Sequence, residues 1–178
     1  MKHLTYLILI IIATLTIGLR WYRIDAPVAD WHSFRQTDTA SVARIFVSDG
    51  IDLLHPRYHD LSNIQSGKDN PKGYRMVEFP LYQGVAALIT RTFPGISVER
   101  SLRYVSIAAA TGTAVLLTVM AAMTVSPLVG MLTGLVYAVL PYSVFFGRTI
   151  LPETFAVFWA MLSIYLITVS ARQSSHRY

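Results

Sequence analysis

Apolar residues fall in long uninterrupted runs toward both ends of the chain, with the polar residues gathered between them. Leu4 to Leu19 carries no charge and is bounded by Lys2-His3 and Arg20. Tyr104 to Gly147 carries none either and is divided by a break at Ser126-Pro127. Thr154 to Ala171 is again uncharged and ends at Arg172. A bilayer core about 30 Å thick takes roughly 20 apolar residues as helix. The pattern therefore predicts an all-α membrane protein, a single membrane domain over 1–178. Its four transmembrane helices lie near 4–20, 104–125, 128–147 and 154–171, and a long loop over 21–103 follows the first.

The first run also has the basic start and apolar core of a secretory signal. The residues after it, Gly18-Leu19-Arg20-Trp21-Tyr22-Arg23, offer no small-x-small cleavage site. They read instead as an interfacial belt of Trp, Tyr and Arg, so the run is taken as an uncleaved anchor.

Within the loop, Asp38 to Phe46 predicts a short amphipathic helix. Val42, Ile45 and Phe46 share a face, with Asp38 and Ser41 elsewhere. Asp38 would sit in the first turn or at the cap, where free amides and the helix dipole favour a carboxylate. Residues 49–76 hold Gly50, Pro56, Gly67, Asn70-Pro71 and Gly73 and read as irregular loop. Pro80 can open a second helix at its first position, with Leu81, Val85, Leu88, Ile89 and Phe93 on one side. Both helices are placed lying in the interface plane.

Composition reinforces the membrane reading. The chain is 53% hydrophobic and 14% charged, where a soluble domain carries about a quarter charged residues. Lys2, Arg172 and Arg177 flank the outer runs with no acid near them, so both termini are placed in the cytoplasm. Loop 21–103 and the short loop 148–153 are then extracytoplasmic. The net charge of +5 forms no compact basic stripe, so it bears on orientation and not on nucleic acid. The absence of cysteine excludes disulfides and thiolate metal sites.

Nine of the ten carboxylates lie between Asp25 and Glu99, and the tenth is Glu153. The topology puts all ten on the external side, which points to a site facing that compartment. Trp31 and Phe34 also suit simple anchoring of the loop. His32, His55 and His59 raise a metal site, although they lack the i, i+4 spacing to a carboxylate. Arg148 and Glu153 admit the plainer roles of a snorkelling cation and a favourable helix-start acid.

The segments Trp31-His32-Ser33-Phe34-Arg35-Gln36-Thr37-Asp38-Thr39-Ala40, Glu78-Phe79-Pro80-Leu81-Tyr82 and Arg148-Thr149-Ile150-Leu151-Pro152-Glu153 carry a resemblance. In this order and spacing they resemble the amino-terminal part of bacterial GT-C glycosyltransferases. These are integral-membrane enzymes related to protein O-mannosyltransferases and the lipid A aminoarabinose transferase. The resemblance implies a multi-pass protein of the bacterial inner (plasma) membrane, a polyprenyl-phosphate sugar donor and an external acceptor hydroxyl. Inverting transfer of this kind needs a base for the acceptor proton and cations for the departing phosphate.

On that reading Asp38 is the first candidate base and Asp30 the second. Arg148, Arg75 and Lys72 are candidates for the donor phosphate. Glu153, His32, Gln36 and Glu78 are candidates for holding substrate hydroxyls or assisting a divalent cation. Two features depart from the family. Relatives often have adjacent Asp-Glu where this chain has separated aspartates, and often a Lys before the second loop helix, where Glu78-Phe79 stands here.

Family members also have more spans and a soluble carboxy-terminal domain. The chain is therefore expected to be a fragment, a truncated product or half of a split enzyme completed by further membrane spans. Two other classes stand beside the enzyme. One is a non-catalytic membrane subunit that binds lipid or a partner protein. The other is a small transporter, disfavoured because no ionisable side chain lies between the charged ends of the middle run.

Overall fold

The computed structural model describes residues 2–28, 31–63 and 67–175. Among them it is all-helical, with seven helices, no strand and one isolated antiparallel bridge between Arg57 and Tyr74. The helices are α1 Lys2–Trp21, α2 Ser33–Asp49, α3 Leu81–Thr92, α4 Val98–Thr124, α5 Pro127–Val139, α6 Pro141–Phe146 and α7 Glu153–Ser175. Two of them, α4 and the Glu153–Gln173 part of α7, are long and apolar enough to cross a membrane. The chain divides into two compact units. Unit 1 comprises residues 1–23, 106–148 and 153–178, and unit 2 comprises 24–105 and 149–152.

In unit 1 the α4/α5 boundary falls where the sequence placed it. Ser126 caps α5, its hydroxyl accepting from the Val129 amide at 3.3 Å, and Pro127 occupies the first turn, where its missing N–H costs nothing. The expected helix over 128–147 is broken in two. α5 ends at Val139 and α6 starts at Pro141, because Pro141 cannot donate to the Tyr137 carbonyl and its ring would crowd that turn.

Arg20 supplies what the break removes. Its guanidinium donates to the carbonyls of Tyr137 (3.4 Å), Ala138 (3.2 Å) and Thr16 (3.2 Å), and to Ser143 Oγ at 2.6 Å. Arg20 is fully buried, which corrects the interfacial-belt reading for this residue, whereas Trp21 and Tyr22 are exposed. The buried Arg answers the orphan carbonyls at a helix end, which a belt residue would leave to water.

Glycines set the packing of α5. A Cβ at Gly130 would lie 2.5 Å from the Thr118 carbonyl oxygen and 2.6 Å from Ala122 Cβ, both on α4. One at Gly134 would run into Thr118 Oγ1 and Ile12 of α1. Gly130-x-x-x-Gly134 thus lets three backbones approach, as small-x-x-x-small pairs do where no solvent drives helices together. α7 behaves differently: its most apolar stretch has no buried residue.

In unit 2, α2 packs on α3 around Val42, Phe46 and Ala87, with Val47, Leu53 and Tyr58 against them. α2 starts five residues earlier than expected, so Asp38 lies in its second turn and neither caps it nor meets its free amides. Ser41, expected away from the core, is buried and holds His59: its hydroxyl lies 2.6 Å from Nδ1 and accepts from the His59 amide at 2.8 Å. Pro80 is the cap residue of α3 and not its first helical position. α3 buries its small side, Gly84, Ala86 and Ala87 with Tyr82 and Gln83, and leaves Leu81, Leu88 and the following Phe93 exposed. Of the apolar stripe read from the sequence, Leu81, Leu88 and Phe93 thus face out of this unit, while Val85 and Ile89 are half-buried.

Candidate functional site

The site is assembled from two short segments that run antiparallel in their side-chain contacts. Arg35 and Asp38 lie one turn apart on α2 and share a face. Asp38 Oδ2 pairs with Arg75 at 3.0 Å, and Arg35 pairs with Glu78 at 3.8 Å. Three steps forward on α2 correspond to three steps back along 75–78, so charge alternates along both sides. All four side chains are between 22 and 34% exposed, reachable by a ligand yet partly shielded from water.

The local fold holds Arg75 in place. Tyr58 donates to the Gly73 carbonyl and Arg75 to the Pro56 carbonyl, both at 2.8 Å, around the Arg57–Tyr74 bridge. Gly73 has φ +64, and a Cβ there would lie 2.5 Å from the Tyr58 carbonyl oxygen, so the turn requires glycine. The buried Asn70 side chain accepts from the Tyr74 amide at 2.9 Å and donates to its carbonyl at 3.0 Å. Successive side chains in extended backbone point to opposite sides. Arg75 accordingly meets Asp38, and its guanidinium lies 5.2 Å from the Tyr58 ring centroid.

Glu78 accepts from Gln83 Nε2 at 3.2 Å through Oε1. Its Oε2, ion-paired with Arg35, accepts no hydrogen bond, and neither does Gln83 Oε1, although both atoms are buried. Buried acceptors of this kind are rare and call for a donor. Gln83 did not figure in the sequence reading; its position, one turn into α3 and five residues after Glu78, was the signal available.

The other candidates make contacts of their own. Gln36 is fully buried and its amide serves the backbone: Nε2 donates to the Trp31 carbonyl at 2.9 Å and Oε1 accepts from the Ile150 amide at 3.1 Å. It fastens segment 149–152 to the start of α2. His32 precedes α2 in the left-handed region, φ 60, with its ring edge-on to Trp31. Lys72 lies over the Tyr74 ring at 6.0 Å. Arg148 and Glu153 belong to unit 1. Arg148 donates to the Tyr22 carbonyl at 2.6 Å and lies 5.8 Å from the Phe145 centroid, and Glu153 opens α7. Asp30 lies outside the described residues. Among the described residues no group of three or more His, Asp and Glu side chains is placed to hold a metal ion. His55 pairs instead with Asp52, and His59 with Ser41.

Further ion pairs brace unit 2 around the site. Arg44 meets Glu99 and Arg100 meets Asp25, while Arg103 donates to the Ile24 carbonyl at 2.5 Å. The hydrogen bond from Arg100 holds the Asp25 carboxyl below the usual carboxylate range, with the charges of Arg100 and Arg103 acting the same way. A group whose folded value is depressed stabilises fully above its unfolded value, about 3.9, and loses that contribution as pH falls through the lower folded value. Unit 2 should therefore lose none of this contribution between pH 7 and 5. Carbon-detected NMR should place the Asp25 midpoint under about 3.9. A midpoint at or above that value would show the pair to be absent in solution.

No protein-family model, curated protein or solved structure matches this chain.

Proposed function

We propose that the chain is a membrane glycosyltransferase module of the GT-C kind, which moves a sugar from a polyprenyl-phosphate donor to an extracytoplasmic hydroxyl. The observation that carries this reading is the Asp38–Arg75 pair, a carboxylate and a guanidinium 3.0 Å apart and both partly open. Inverting transfer needs these two groups together. A donor phosphate arriving at Arg75 competes with Asp38 for the guanidinium, whose planar fork suits two phosphate oxygens. The carboxylate is then released toward the acceptor hydroxyl and takes its proton as the sugar carbon is attacked, while the phosphate leaves on Arg75. Arg35, one turn away, pairs with Glu78 and keeps a second cation beside the leaving phosphate.

The two long apolar helices support a membrane setting, and the exposed Leu81, Leu88 and Phe93 support α3 lying in the interface. In this reading α1 and the α5–α6 pair complete four spans, and 21–103 faces outward. The chain has no cysteine, so Ser62→Cys and Gln173→Cys report separately. An impermeant thiol reagent added to intact cells should label Ser62→Cys and spare Gln173→Cys; the reverse pattern would invert the topology.

The direct test is donor binding to the purified chain in detergent, which needs no turnover. Polyprenyl-phosphate hexose or pentose should bind saturably, more weakly with Arg75→Lys and far more weakly with Arg75→Ala. If neither donor binds, the transferase reading falls. A non-catalytic membrane subunit would then stand, favoured by the fact that Gln36 and Arg148 spend their polar groups on the chain's own backbone.

A further inference from the structure

Three arginines gather at the C-terminal end of α1, and the proposed reaction uses none of them. Arg20 is fully buried and donates to Ser143 and to carbonyls at the end of α5. A Cβ on Gly147 would run into Arg20 Nε, so the residue before Arg148 packs directly on that guanidinium. Arg148 Nη1 donates to the Tyr22 carbonyl at 2.6 Å, which sets its guanidinium beside the Tyr22–Arg23 peptide. All three belong to unit 1, whose one carboxylate side chain is Glu153. Among the described residues, no carboxylate pairs with Arg20, Arg23 or Arg148. By contrast, Arg35, Arg44, Arg57, Arg75 and Arg100 of unit 2 each face an acid.

Like charges brought together repel, more so where water is scarce. Here the chain holds them in place. Arg148 is fixed between the Tyr22 carbonyl and the Phe145 ring, whereas a snorkelling cation would swing free in water. Arg23 has φ +57, a left-handed backbone that non-glycine residues seldom adopt and that recurs at functional sites. Exposed aromatic side chains accompany them: Trp21, Tyr22 and Tyr142. Such rings settle at the headgroup level of a bilayer.

We propose that this corner binds the phosphate of an anionic phospholipid headgroup. The inference rests on the membrane setting proposed above and not on sugar transfer. Arg148 offers a planar fork that matches two phosphate oxygens, and its bond to Tyr22 occupies one of five N–H groups. Arg23 adds a second cation at the surface, and buried Arg20 adds positive potential from behind. A zwitterionic headgroup brings an ammonium that this corner repels. A free phosphate lacks the acyl chains that exposed Ile17, Leu19 and Trp21 would meet.

The test is native mass spectrometry of the full chain in a neutral detergent, with phosphatidylglycerol and phosphatidylcholine of equal chain length. Phosphatidylglycerol should bind at least about tenfold more tightly, the scale of one charge-assisted hydrogen bond. Arg148→Ala and Arg23→Gly should each weaken it by about that factor, and glycine keeps the left-handed backbone of residue 23. Arg148→Lys should recover the loss only in part, since a point charge cannot copy the fork. Arg91→Ala, which removes an exposed cation of unit 2, should change nothing. Should Arg148→Ala fail to fold by far-UV dichroism, Arg23→Gly and Arg148→Lys decide. Equal binding of the two phospholipids, or full binding by Arg23→Gly and Arg148→Lys, overturns the proposal. Inorganic phosphate that displaces the lipid at equal concentration would make the ligand a free anion and overturn it as well. So would loss of polyprenyl-phosphate donor together with phospholipid in Arg148→Ala while Arg75→Ala binds both, since the corner would then seat the donor. Donor binding without phospholipid binding defeats this inference alone. Phospholipid selection with the expected variant pattern, but without donor binding, defeats the transferase reading alone.

Discussion

Asp38→Asn is expected to lower sugar transfer by about 10²–10⁴, the usual loss when a general base is removed. That corresponds to roughly 3–5 kcal/mol of barrier. The substitution is nearly isosteric, and the amide oxygen can still accept from Arg75. Destabilisation should be small, because partly exposed ion pairs are worth about 0.2–1 kcal/mol. The two effects therefore separate by size: a rate loss of two or more decades with an unchanged melting transition assigns the base, whereas a melting shift with proportionate activity loss assigns a structural pair. Transfer must be measured in the assembly that turns over, together with any further spans it requires. Asp30→Asn belongs in the same experiment. Near-normal turnover for Asp38→Asn and none for Asp30→Asn would move the role to Asp30.

The second large effect is expected at Gly130. Gly130→Leu should strongly destabilise unit 1, because the new Cβ alone meets the Thr118 carbonyl oxygen and the Ala122 amide nitrogen within 2.8 Å. Both belong to α4 backbone, which cannot turn aside as a flexible side chain would. Overpacking a well-fitted interface commonly costs about 1–3 kcal/mol, and here α5 must also move away from α4. Gly18→Leu is the matched control, since a Cβ there meets nothing within 4 Å. Denaturant titration in detergent should show an early transition for Gly130→Leu and little change for Gly18→Leu. Equal midpoints would mean that α4 and α5 do not pack through this glycine.

The sequence makes helix boundaries legible where local chemistry decides them. Ser126-Pro127 marks the α4/α5 turn, and Pro152-Glu153 the start of α7, because capping and proline act within a few residues. Pro141 carried the same kind of signal inside an uncharged run, where hydropathy alone joins two helices. Gly130-x-x-x-Gly134 was equally readable and points to close packing. Other features depend on contacts between distant positions. The 35–78 and 38–75 pairing appears only when a loop folds back along α2, and the burial of Arg20 follows from carbonyls more than a hundred positions away. The stripe on α3 was periodic as read, but periodicity does not say which side meets the protein. Small residues went inward because α2 packs close.

In the proposed four-span reading, α5 brings a problem of length. Its 13 residues reach about 20 Å, against a hydrocarbon thickness of about 30 Å. In a bilayer this hydrophobic mismatch cannot be relieved by tilting, since tilt shortens a helix further along the normal. The lipid must thin around it, or the protein must fill the remaining depth. α6 fills part of that depth, and the guanidinium of Arg20 makes its junction with α5 tolerable to a medium that supplies no hydrogen bonds. In that reading, helix ends that would otherwise need water can stop inside the hydrocarbon, and lipid headgroups can settle deeper beside α5 than beside a full-length span.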